Sequence, residues 1–336
     1  MIERMNQSIP TPFFSVVIPT RNRCGLFKIA LDSVLSQDCT DLEVIIVNDG
    51  STGADLEAYH ALELAYQGKA SFHYLVHRPN GHGQSYSMNF GAGQARGKYL
   101  CFLDDDDAWI DPHHLQRCKA SIEAQKTSTD LYFTDQRALF SDGRPNNTPL
   151  WISGVEKFAH GAPDANGTRR ISAAELLQAG GFAHLNCSIY RREFWLGFGG
   201  MDENIRYECD RDIYMRGIDA ADCILYNPAV VSEHNIPDPK KSNNMSTAIS
   251  IFEKKIYQLR VFDKGILLSR NKAVVAFSKR AKAYELKKIA TTLVETGRYT
   301  EASYYIRETL LLTFSPKWLG YFLYCHWKQL TSGAQS

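Results

Sequence analysis

Tyr99-Leu100-Cys101-Phe102-Leu103-Asp104-Asp105-Asp106-Asp107-Ala108-Trp109 is an apolar run that closes on four consecutive carboxylates. Buried strands of open α/β sheets finish at a carboxyl edge, and ligands bind along that edge. Four adjacent like charges repel one another, so a cation or a set of hydrogen-bond donors must compensate them. With no His or Cys alongside, hard oxygen ligands point to Mg²⁺ or Mn²⁺ over Zn²⁺, ions that serve phosphate-bearing substrates. The competing explanation is a solvated acidic turn capping a helix that starts near Pro112. A cap needs one such side chain, not four.

Outward from this run, Phe13–Pro19 and Leu42–Val47 are short apolar stretches separated by a helical pattern, Leu26, Ile29, Ala30, Ser33 and Val34. Together they make a βαβ unit. The rhythm continues with a strand at Ser71–Val76, a helix over Gln84–Gln94, the strand Tyr99–Leu103, a helix from Pro112 to Gln125 and a strand at Asp130–Arg137. Such alternation predicts an α/β fold with a mainly parallel, twisted sheet and helices on both faces. Between Phe140 and Arg170 the pattern dissolves into Gly, Pro, Asn and Asp, a loop too long for plain connection and expected to form a lid or binding loop. A helix at Ala173–Gln178, a strand at His184–Tyr190, a turn at Gly197–Gly200 and a helix at Cys209–Arg216 follow. The segment Pro237–Ser246 is polar and expected to be mobile, and from Ile249 onward the chain reads as helix. Within it, Ala283–Thr296, Gly297-Arg298-Tyr299 and Thr300–Leu312 form a hairpin of the tetratricopeptide type. One such hairpin cannot bury its own face and must pack on something else.

The 336 residues, 44% of them hydrophobic, suffice for one large core and a smaller appended unit. No stretch approaches the roughly 20 apolar residues of a membrane span, and Met1–Pro10 lacks the apolar core of a secretory signal, so a cytoplasmic location is expected. Eight cysteines without paired metal-ligand spacing read as reduced thiols. The net charge of +1 conceals an asymmetry, because residues 253–330 hold 15 Lys/Arg against 6 Asp/Glu. A basic segment with Trp318, Tyr321, Phe322, Tyr324 and Trp327 is compatible with an anionic membrane surface or a nucleic acid, and equally with a solvated face over an aromatic core.

The first strand runs into Pro19-Thr20-Arg21-Asn22-Arg23 and the second into Asn48-Asp49-Gly50-Ser51, so both loops reach the same edge as the aspartates. A carboxylate at a strand end, Asp49, can accept from a nucleobase imide, while turn N–H groups and arginines can hold a phosphate. In this order and spacing, with Asn80-Gly81-His82-Gly83, Asn89 and Gly91 between, these motifs resemble those of family 2 glycosyltransferases with the GT-A fold over roughly residues 13–235. The resemblance implies a catalytic GT-A domain over 1–248 with a helical region over 249–336, and an inverting, metal-dependent transferase acting on a nucleotide-diphosphate sugar, a UDP-sugar in the first instance. It assigns Pro19, Thr20, Arg21, Asn22, Asp49, Asn80, Gly83, Asp104 and Asp105 to the donor nucleotide, and Asp106 to Mn²⁺ or Mg²⁺. Asp107 is left as a cap or outer group.

An inverting transfer needs one general base to take the acceptor proton. Glu208-Cys209-Asp210-Arg211-Asp212 resembles the segment that supplies it, with Asp210 as the base, Cys209 where the family usually has Glu, and Glu208 in reserve. Asp210 could instead be a helix N-terminal acid held by the macrodipole. The family's Ala-Arg-Asn triplet is here Ser87-Met88-Asn89, so an arginine expected near the diphosphate is missing, with Arg21, Arg23 or Arg78 as substitutes. His234 is a candidate metal ligand, and the polar stretch with Lys240, Lys241, Ser242 and Ser246 a candidate lid. For the acceptor, a glycan or glycolipid, Trp109 and Trp151 are the aromatic candidates. The partners implied are these two substrates, with no nucleic acid, and peripheral contact with the inner face of the plasma membrane or self-association through the basic helices. Rival classes are a nucleotidyltransferase, against which the absence of glycine before Gly25 speaks, and a non-catalytic interaction protein, against which the intact aspartates speak.

Overall fold

The computed structural model describes residues 11–148, 150–238, 240, 247 and 249–332. The chain divides into two compact units, Met1–Ala248 and Ile249–Ser336. At the centre of the first lies β1 (Phe14–Thr20), whose seven residues are all buried. Its β-branched run suits a strand covered on both faces. It pairs in parallel with β2 (Leu42–Asn48) and β4 (Tyr99–Phe102), and β2 with β3 (Ser71–Tyr74). The helices α1 (Cys24–Leu35), α2 (Gly53–Ala65) and α3 (Gln84–Gln94) connect these strands. Phe14, Val16, Ile18, Phe27, Leu31 and Tyr59 join one core cluster, and each such burial contributes roughly 1.5–3 kcal/mol.

The second half of the sheet is mixed. Beyond β4, the short strand β5 (Ala108–Trp109) and α4 (His114–Glu123) lead into β6 (Leu131–Leu139). The loop region that follows is partly ordered: β7 (Pro145–Asn146) folds back on β6, and β8 (Arg169–Ile171) pairs with β10 (Ile224–Asn235). After α5 (Ala173–Leu176), residues Leu185–Cys187 form a 3-10 turn, and only Ser188–Arg191, β9, is strand. The strand expected from His184 thus starts four residues later. β9 inserts antiparallel between β4 and β6, and β10 runs parallel to β6. The register of β10 shifts between Asn227 and Ser232, around Pro228, which has no N–H to give the ladder. That shift carries Ser232 and Glu233 opposite Trp109 and Ala108, so the end of β10 meets the acidic run. Finally α6 (Arg192–Gly197) and α7 (Cys209–Ala220) cover the sheet.

His114, at the start of α4, is fully buried with neither ring nitrogen hydrogen-bonded, its ring edge-on to Trp109. Burial pushes its pKa down to about 3. Between that value and about 6.5 the unfolded chain therefore binds a proton that the folded one refuses, and stability falls as pH drops through this window. Urea unfolding at pH 7 and 5 should show a loss in the wild type that a His114→Phe chain lacks in part, with a slope of up to about 1.4 kcal/mol per pH unit. Identical pH dependence in both chains would refute this.

The second unit consists of α8 (Ile251–Leu267), α9 (Lys272–Glu295), α10 (Tyr299–Leu312) and α11 (Pro316–Ser332). Ser250 and Glu253 close a capping box at its start. Ala290, Ala302, Ile306 and Cys325 form a small buried cluster with Trp318 and Phe322 against it. Among the described residues no helix is long and apolar enough to cross a membrane.

Candidate active site

β1, β2 and β4 end side by side, and the four aspartates after β4 meet four different environments. Asp105 is buried, accepts from Thr20 Oγ1 at 2.6 Å and forms an ion pair with Arg23. Burial outweighs Arg23 and lifts its pKa to about 7. Asp106 receives the other arm of the same guanidinium, Arg23 Nη1 at 2.7 Å. Asp107 is buried and accepts from Asn186 Nδ2 at 2.5 Å, His234 Nδ1 at 2.8 Å and the Asn235 N–H at 2.8 Å. Burial opposes its charge, yet His234 and these donors hold its pKa below the usual carboxylate value. Asp104 accepts from Gln84 Nε2 at 2.7 Å. Burial and the charges of Asp210 and Asp107 raise its pKa well above normal.

Asp210 comes from the first turn of α7. Its Oδ2 lies 3.4 Å from His184 Nε2, while its Oδ1 is buried without a hydrogen-bond partner. His184 Nδ1 accepts the Asn186 N–H at 3.3 Å, which leaves the ring proton on Nε2, facing Asp210 and, at 3.9 Å, Asp104. Burial keeps this imidazole neutral by lowering its pKa. Burial raises the pKa of Asp210 more than His184 and His234 lower it. A mostly enclosed carboxylate with one unused oxygen is equipped to take a proton. Glu208, at the left-handed position before α7, is bound instead to Arg211 at 2.5 Å.

The loops after β1 and β2 are tied to one another. Asn22, at φ 53°, donates its N–H to Ser51 Oγ at 3.0 Å, and Arg21 Nη2 donates to the carbonyls of Arg78 and Pro79. Asp49 accepts from the N–H groups of His82 and Gly83 and from His82 Nδ1. Gly81, at φ 64°, must be glycine, since a Cβ there would lie 2.4 Å from Asp49 Oδ2. Asn80 is exposed at the tip of this turn. Pro19 and Thr20 are buried at the end of β1. Met88 is fully buried, whereas Arg23 is paired with the acidic edge. Asn89 pins the turn before α7, donating to Met201 O and accepting from its N–H.

Two aromatic candidates separate. Trp109 is a core residue, 4% exposed, with Nε1 bonded to Asn186 O, because pairing in β5 turns its ring inward. The ring expected to meet the acceptor is therefore turned away from it into the core. Trp151 packs edge-on to the rings of His184 and His234 at 5.9 and 5.3 Å, inside the site. Lys241, Ser242 and Ser246 of the expected lid lie outside the described residues. The sequence reading missed His184, Asn186 and Gln84. Gln84 links Asp104 to the sulfur of Cys209, 3.8 Å away, and Cys209 precedes Asp210. Gln84 opens α3 directly after Gly83 of the motif, a signal that was in the sequence.

For a cation, the ligand atoms of Asp104, Asp107 and His184 lie within 4.8 Å of one another. The tautomer of His184 works against ligation through Nε2. His234 places Nδ1 on the Asp107 carboxylate, which against burial raises the pKa of the ring, so a metal ion at Nε2 would compete there with a proton.

Residues 15–195 match the family model for glycosyl transferase family 2. The PGL/p-HBAD biosynthesis glycosyltransferase of Mycobacterium bovis is 32% identical over 124 residues, 37% of this chain and 46% of that protein. The chondroitin synthase of Pasteurella multocida is 33% identical over 125 residues, 37% of this chain and 12% of that one. The match thus spans less than half the length of these relatives. Among solved structures, S. aureus TarS 1–349 in complex with UDP-GlcNAc superposes with a TM-score of 0.63 and 18% identity over 88% of this chain and 81% of that one. The mannosyltransferase PcManGT from Pyrobaculum calidifontis, in complex with GDP-Man and Mn²⁺, gives 0.56 and 16% over 96% and 88%. At these identities the likeness concerns the fold, which is GT-A.

Proposed function

The chain belongs to glycosyl transferase family 2, and from that premise we propose that it moves a sugar from a UDP-sugar to an acceptor hydroxyl of a growing glycan, with inversion. The observation that carries this reading is Asp210, whose unpartnered Oδ1 lies across from the acidic edge within one buried cluster. In this account Asp210 takes the acceptor proton while His184 holds its other oxygen in place. Asp49 and the 80–83 turn receive the base, with Pro19, Thr20, Arg21 and Asn22 beside it, and Asp104 and Asp105 face the ribose and diphosphate. Arg23 leaves the Asp105–Asp106 pair for the diphosphate when donor arrives, replacing the arginine that Met88 does not supply. Asp106 and His234 Nε2 would hold Mn²⁺ or Mg²⁺, with Asp107 orienting His234. Such an ion, when bound, neutralises charge on the departing diphosphate.

We place the reaction in bacterial surface polysaccharide assembly on the cytoplasmic side. Exposed Leu323, Trp327 and Leu330 on α11, near Lys328, support peripheral contact with an anionic membrane, which flotation of the full chain with anionic vesicles would test. The donor reading is tested by calorimetric titration of UDP-, dTDP- and GDP-sugars with and without Mn²⁺. One nucleotide sugar should bind, and the folded state should melt higher in its presence. Absence of binding across the panel overturns the reading.

A further inference from the structure

A cleft of about 510 Å³ opens in the sheet domain between the end of β6, the β7 hairpin and the turn at residues 150–158. Its size is that of a small-ligand site, for which about 300–1,000 Å³ is usual. Three independent features mark it. Gln136, in its wall, is 6% exposed; its Oε1 accepts from Cys187 Sγ at 3.5 Å, while Nε2 is buried with no partner. A buried amide without a partner is costly unless a ligand completes it.

Trp151, on the cleft lining, holds φ 54°, a strained setting for a bulky residue. Gly181 packs against its carbonyl so closely that a Cβ would lie 1.7 Å from Trp151 O. The ring that this backbone presents touches His184, which in turn contacts Asp210. Trp151 therefore stands between the cleft and the His184–Asp210 pair. Two cations, Arg137 and Lys157, are among its lining residues, which include no carboxylate. Arg137 is ion-paired with Glu233, and Lys157 is exposed at the rim.

We propose that this cleft is the acceptor site and that it takes an anionic saccharide, one bearing a carboxylate or a phosphate. Trp151 stacks on a sugar ring, Gln136 Nε2 donates to a sugar oxygen, and Lys157 meets the anionic substituent. The proposal rests on the transferase reading only in treating Asp210 as the base.

The test is binding of the full-length chain to immobilised bacterial oligosaccharides carrying uronates, carrying phosphodiesters, or neutral. Wild type should bind within one of the anionic sets, and which set responds identifies the substituent. Lys157→Glu, an exposed change that leaves folding intact, should weaken that binding about tenfold or more, as loss of a charge-assisted contact does. Gly181→Ala should weaken the same binding by displacing Trp151, with its thermal midpoint recorded to establish that it folds. Binding confined to neutral glycans, no glycan binding at all, or binding unchanged in Lys157→Glu overturns the proposal. UDP-sugar titration of the same samples separates the two readings. Donor binding with unaltered glycan binding defeats the cleft alone, whereas absence of donor binding defeats the transferase.

Discussion

Asp210→Asn is expected to lower kcat for sugar transfer by about 10³-fold, the usual scale for removing a general base, while leaving the donor Kd nearly unchanged. Asn keeps the size of the side chain and a partner for His184, so the loss reports proton transfer more than shape. The same carboxylate predicts the acid limb of the pH profile. Burial raises its pKa against the pull of His184 and His234, and only the ionised form accepts a proton. Transfer should therefore fall with decreasing pH at a point above the ordinary value of about 3.9 for an Asp. Turnover retained in Asp210→Asn would remove this residue from the base role and direct attention to Glu208, despite its pairing with Arg211.

Asp107→Ala should have the largest effect on stability. The change strips Asn186 Nδ2, His234 Nδ1 and the Asn235 N–H of their common acceptor in a buried setting. Breaking such a cluster costs about 3–5 kcal/mol, which the urea transition of the sheet domain would register. Asp106→Ala serves as the contrast. It deletes a partly exposed pair with Arg23, worth about 1 kcal/mol or less. Equal losses in the two variants would contradict the distinction drawn between these neighbouring aspartates.

The family resemblance separated Asp104, Asp105, Asp106 and Asp107 by role and set Asp107 apart as a cap or outer group, but the partners that give each its energetic weight were not legible in the sequence. Periodicity locates the strand before them, because an all-apolar run bounded by turn residues is a local signal. What each carboxylate does depends on partners far along the chain, Thr20 and Arg23 on one side, Asn186 and His234 on the other. The parallel strands β1, β2 and β4 were legible for the same local reason. β9 was legible in part: the strand read from His184 begins only at Ser188, and its pairing with both β4 and β6 is non-local.

His184 illustrates a second kind of blindness. It opens an apolar stretch and so reads as the first residue of a strand, yet it lies in a turn that aims its ring at Asp210. A lone histidine has no spacing to betray it. Trp109 failed in the opposite direction. Proximity to the aspartates made it an acceptor candidate, but two residues of β5 pairing turn its ring into the core. The missing arginine at Met88 was legible as a departure, and its consequence was not. Arg23, at the cap of α1, bridges Asp105 and Asp106.

In the function proposed above, the acidic edge holds a nucleotide sugar whose sugar, not its nucleotide, is transferred. Phosphorus NMR for the released nucleotide and proton NMR for the anomeric coupling of the product, run on wild-type protein with Mn²⁺, the UDP-sugar that binds and a saccharide acceptor, follow this directly. On this account wild type should release UDP in step with a glycoside of inverted anomeric configuration, and Asp210→Asn should yield both about 10³-fold more slowly. Release of pyrophosphate, or a glycoside that retains the donor's configuration, would contradict it.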